Sequence, residues 1–140
     1  IAGMIQYYLE RFTRDFNTAA AQEFESSPGK WTRAYLETTF ADNERHPRMS
    51  PGLLAAISVD PSLLQPLQNT FAEWVKLIEH DSIDPVMATI ARLVADGLWL
   101  VELFGLAPPD AEMKARVLAR LVEMTRAAGS QKDSLSNDEH

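Results

Sequence analysis

Apolar residues recur at intervals of three and four along most of the chain, as in Ile5, Leu9, Phe12 and Phe16 and again in Leu67, Phe71, Trp74, Leu77 and Ile78. A segment that meets a core once per helical turn needs that spacing, whereas a half-buried strand needs alternation by two. The pattern predicts helices over about residues 2–24, 28–42, 51–58, 61–80, 85–104 and 109–127, and it calls for no strand.

The breaks between these helices carry a repeated mark. Ser27-Pro28, Ser50-Pro51, Asp60-Pro61 and Asp84-Pro85 each set a capping residue before a proline, and Pro108-Pro109-Asp110 makes a fifth start. A serine or aspartate oxygen accepts from the orphan amides of a first turn, and proline at the first helical position gives up an amide that has no intrahelical partner anyway. Gly105 and Gly129 stand where helices are expected to stop. Pro66 falls inside the fourth helix, where it predicts either a bend or a short separate first turn. Residues 128–140 are polar and are expected to form an unstructured tail beyond a single domain over 1–127.

One segment departs from the ordinary amphipathic pattern. Asp84–Gly105 is apolar around nearly its whole circumference, interrupted by Arg92, Asp96 and Glu102. In a domain this small, such a helix is either central or partly covered by a second chain. Ala88, Ala91 and Ala95 form a small-residue row, with Gly97 close by, that would let another helix approach closely. The last helix has two apolar stripes, one of Met113, Val117, Leu121 and Met124 and one of Ala111, Ala115, Leu118 and Val122. With one stripe on its own core and the other on a twin, the last two helices of two subunits would form an intermolecular four-helix bundle. The assigned dimer contacts are Ala88, Ala91, Ala95, Leu98, Ala111, Ala115, Leu118 and Val122.

Composition narrows the function. The 140 residues are 46% hydrophobic, enough for one core, and include no cysteine, so neither a disulfide framework nor a thiol nucleophile is available. A formal net charge of −7 argues against these residues gripping nucleic acid, which rests on a basic face. No stretch reads as a secretion signal or a membrane span, and a cytoplasmic location with no membrane partner is expected. His46, His80 and His140 lack the paired spacing of zinc ligands, and no phosphate loop or nucleophile elbow occurs. No catalytic residue, metal site or cofactor is assigned, and an enzyme is not expected.

The run ArgLeuValAlaAspGlyLeuTrpLeuValGluLeuPheGly at Arg92–Gly105, followed by Pro108-Pro109, resembles the penultimate helix and following turn of TetR-family C-terminal domains. AspProSerLeuLeuGlnProLeu at Asp60–Leu67, with Phe71 and Trp74, is similar to the entry into an earlier helix of that group. MetIleGlnTyrTyrLeuGluArgPhe at Met4–Phe12 resembles the family's long connecting helix. The likeness covers about residues 1–127 and implies an all-α bundle of about six helices that dimerises and binds a small-molecule effector. It implies a transcriptional regulator, in the first instance a repressor released by an apolar or amphipathic ligand. Contact with DNA would run only through an N-terminal helix-turn-helix domain that these residues do not include.

The resemblance further implies a cavity among the middle helices. Suitable lining is supplied by Trp31, Tyr35, Phe40, Met49, Leu53, Ile57, Phe71, Trp74, Ile78, Trp99 and Phe104, although the same residues would serve equally as packed core. Asp96 is the sharpest polar candidate: within so apolar a helix it must be paired with Arg92, bonded to another helix, or used by a ligand. The competing reading is a stand-alone helical protein–protein interaction module with no ligand cavity.

Overall fold

The computed structural model describes residues 2–45 and 51–138, with side chains over 2–41, at 52 and over 55–129. It contains α1 (Ala2–Ala21), α2 (Lys30–Arg45), α3 (Pro51–Val59), α4 (Leu64–Glu79), α5 (Pro85–Phe104) and α6 (Ala111–Asp138). The fold is all-α, as the spacing of apolar residues predicts, with no strand among the described residues. The ambiguity at Pro66 resolves as a separate 3₁₀ turn over Pro61–Leu63, after which Pro66 lies in the first turn of α4 and leaves no hydrogen bond broken.

Most of the expected caps form. Asp60 accepts from the Ser62 amide at 3.1 Å, Asp84 from the Val86 amide at 3.1 Å and Asp110 from the Met113 amide at 2.8 Å. Gly105 closes α5 with a left-handed φ of 64°, and the Leu106 amide reaches back to the Val101 carbonyl at 2.8 Å. Ser50 lies outside the described residues.

Two punctuation marks act differently from expectation. Ser27 does not cap α2. That work is done from the α4–α5 loop by Asp81, whose carboxylate accepts from the Trp31 amide at 3.0 Å and from the amide and hydroxyl of Thr32 at 2.8 Å each. Gly129 does not stop α6, which continues to Asp138 across the segment expected to be an unstructured tail. A Cβ on Gly129 would stand 3.1 Å from Pro28 Cβ and 3.6 Å from Ile83, so the glycine permits a close approach of α6 to the α1–α2 turn.

α2 is the hub, packing against α1, α4, α5 and α6. Phe16 and Leu36 are wholly enclosed, and so are Ala91 and Ala95 on the face of α5 that lies in the core. At roughly 1.5–3 kcal/mol for each large apolar side chain removed from water, these positions dominate the driving force.

A buried polar junction closes one end of the bundle. Arg33, 1% exposed, donates from Nε to both Glu23 oxygens at 3.1 Å and from Nη2 to Glu23 Oε1 at 2.6 Å, Ser27 Oγ at 3.1 Å and the Pro28 carbonyl at 2.8 Å. Its Nη1 reaches Thr125 on α6 at 3.4 Å. Gly29, at φ 83°, has no room for a side chain, because a Cβ there would stand 2.6 Å from Arg33 Nη1. A second buried pair, Lys114 to Glu102 at 3.1 Å, ties the start of α6 to the end of α5. Glu102, one of the polar interruptions of the apolar segment, is therefore enclosed.

Candidate effector site and assembly face

An array of aromatic rings occupies the space where α1, α2, α4 and α5 meet. Phe12 lies 4.6 Å from Trp74 and 5.7 Å from Tyr35, centroid to centroid; Phe16 lies 5.2 Å from Trp31; Phe71 lies 4.8 Å from Trp74; and Tyr8 lies 6.3 Å from Trp99. Several of these contacts are tilted or edge-on, the arrangements that the ring quadrupole favours. The Trp74 indole donates to Thr13 Oγ1 at 3.0 Å, which ties α4 to α1.

Of the residues assigned to an effector cavity, Tyr35, Phe40, Ile57, Trp74 and Ile78 are buried, and Trp31, Phe71 and Trp99 are half-buried against the same core. Met49 and the side chain of Leu53 lie outside the described residues. Phe104 lies apart from these: it is 47% exposed on the outer surface of α5, and the neighbouring Leu103 takes the inward direction at the helix end. Sequence reasoning missed the contribution of α1, whose Tyr8, Phe12 and Phe16 stand at the centre of the array. The i, i+4 spacing of these three rings was the available signal.

The polar element of the array is Asp96. One carboxylate oxygen accepts from the Tyr35 hydroxyl, and the other from Arg92 Nη1 at 3.0 Å. The interhelical bond and the intrahelical pair, alternatives on sequence grounds, thus occur together. Burial raises the Asp96 carboxyl above its ordinary value, against the opposing pull of Tyr35 and Arg92. Burial and the adjacent carboxylate push the Tyr35 phenol upward, so it stays a hydrogen-bond donor.

The two faces of α5 reverse the expected assignment of its contacts. Ala88, Ala91, Ala95 and Leu98 lie inside the subunit, because small side chains there let α5 pack closely on α2. They are not available to a second chain. The outer stripe is instead Val86, Ile90, Leu93, Val94, Leu100 and Phe104, all exposed. On α6 the expected stripe divides: Ala111 and Ala115 are exposed, and Leu118 and Val122 are half-buried. Met113 and Met124, from the stripe expected to face the core, lie outward. A shallow depression of about 490 Å³, lined by Val94, Met113, Val117, Leu121 and polar neighbours including Arg116 and Arg120, makes the outer faces of α5 and α6 continuous.

Elsewhere an open groove of about 800 Å³ runs between α1 and α4, lined mainly by polar residues such as Gln6, Glu10, Arg14 and Glu73. Among the described residues, no group of three or more His, Cys, Asp or Glu side chains is placed to hold a metal ion, and no helix is long and apolar enough to cross a membrane.

Compared with known families, residues 29–126 match the one described as tetracyclin repressor-like, C-terminal domain. No curated protein and no solved structure matches the chain.

Proposed function

We propose a function from one premise: the chain belongs to the tetracyclin repressor-like C-terminal domain family. On this reading it is the regulatory half of a TetR-type transcriptional regulator, acting in the cytoplasm as a homodimer. It takes a small apolar or amphipathic effector at the aromatic array, and DNA is contacted by a separate N-terminal domain.

The observation that carries this reading is the two-sidedness of α5. Its alanine face satisfies the subunit core, and its outer face leaves Ile90, Leu93, Val94, Leu100 and Phe104 uncovered beside Met113 and Met124 of α6. A contiguous apolar surface of this kind is a mark of an interface. Its two helices, doubled by a two-fold axis, supply the four of an intermolecular bundle. Effector binding would act by preferring one separation of the two DNA-binding heads over another, since equal affinity for both shifts nothing.

Sedimentation velocity tests the assembly. The chain is expected to sediment as a dimer, and Leu93→Glu and Ile90→Glu as monomers that keep their helical circular dichroism. A dimer that survives both substitutions contradicts the assigned face. A second reading, an interaction module with no ligand cavity, is favoured by the close mutual packing of the rings. A thermal-shift panel of small apolar compounds separates the two, because only effector binding raises the melting temperature with ligand concentration.

A further inference from the structure

Arg92 and Asp96 stand one turn apart on α5, with side chains 27% and 24% exposed. A surface pair at that spacing needs no support, yet this one is backed by a buried phenol. Tyr35, 3% exposed and enclosed by Phe12, Phe16 and Trp74, holds one oxygen of Asp96, and Asp96 holds Arg92 with the other. Each member of the relay restricts the next. Its last member is a guanidinium fixed at the cost of a single N–H, whose other N–H groups have no partner among the described residues.

A guanidinium presents a planar fork of donors that matches a carboxylate, is weakly hydrated, and stacks on aromatic faces. On the same helix the ring array reaches its half-buried margin at Trp99, three residues beyond Asp96, with Tyr8 at 6.3 Å from the indole. An apolar body and an anionic head would both be met there. A cationic head would instead meet the like charge of the Arg92 guanidinium that Asp96 holds.

We propose that the effector is an aromatic or otherwise apolar carboxylic acid, whose carboxylate is received by Arg92 while its body lies against Trp99 and the adjoining rings. Tyr35 and Asp96 are positioning residues that aim the guanidinium. This assignment rests on the reading of the ring array as the effector site.

The test is isothermal titration of the whole chain with 1-naphthoate and decanoate, each against its own primary amide. The acids are expected to bind at least tenfold more tightly than the amides. Arg92→Gln removes that preference and Arg92→Lys recovers part of it, both variants keeping the parent circular dichroism because Arg92 is partly solvated. Acid and amide binding equally, amides binding alone, or a preference that survives Arg92→Gln overturns the carboxylate assignment and leaves the effector site standing. Absence of binding by all four compounds at millimolar concentration overturns the effector-site reading along with it.

Discussion

Arg33 and Arg92 are both paired with a carboxylate and backed by a hydroxyl, but the two clusters are finished differently. Around Arg33 every direction is closed: Glu23, Ser27, Pro28 and Thr125 surround the guanidinium, and Gly29 is pressed against it. Around Arg92 the backing is complete and the front is open. A closed cluster of this kind ties helices together, whereas one saturated behind and vacant ahead is suited to receive something.

The contrast can be broken most directly by deleting each guanidinium. Arg33→Met leaves Glu23 in a partly enclosed site without its partner and is expected to cost about 3–5 kcal/mol in a denaturant titration. Arg92→Met should cost less than about 1 kcal/mol, the ordinary value of a partly solvated pair. Equal losses would mean that both clusters are structural. Gly29→Ala follows in size, at about 1–3 kcal/mol, because it adds left-handed strain to a collision with Arg33.

The titration of the two acids sharpens the same contrast, with opposite signs. For Glu23, burial pushes the carboxyl up, but the bonds and charge of Arg33 outweigh it and the value ends below the ordinary 4.5. Its stabilisation is therefore present above pH 4.5 and lost as pH falls through the depressed value. Glu23→Gln should cost more at pH 7 than at pH 3. Asp96 is raised, so its contribution is fully present below 3.8 and lost as pH rises through the elevated value. Asp96→Asn should be less harmful at pH 7 than at pH 4 when both are measured by urea unfolding. Thr125→Val, which removes the long hydrogen bond from Arg33 and the shorter one to the Val122 carbonyl, is expected to cost about 0.5–1.5 kcal/mol.

These clusters also mark where the amino-acid sequence stops being informative. Helix positions were legible because apolar spacing and local caps such as Asp84 and Asp110 act within one turn of the chain. The oily character of α5 was legible too, but not which side of it faced inward. Alanines and larger apolar residues both suit a buried face, and the choice was made by how closely α2 approaches. Tyr35 and Asp96 lie 61 residues apart, so no periodicity announces their bond. Gly129 reads as a helix terminator in one dimension, and its neighbours Pro28 and Ile83 come from distant parts of the chain. Of the ring array, the sequence singled out members on α2, α4 and α5 but left out those of α1, whose spacing was equally visible.

The cap that Asp81 provides for α2 sets a constraint on the order of folding. The acceptor for the Thr32 amide lies 49 positions downstream, so the opening turn of the hub helix cannot be sealed while that part of the polypeptide is still unsynthesised. A nascent chain leaving the ribosome would carry α1 and a frayed α2 until the α4–α5 loop emerged. Such a long-range closure slows the search for the native state relative to a bundle whose helices cap themselves.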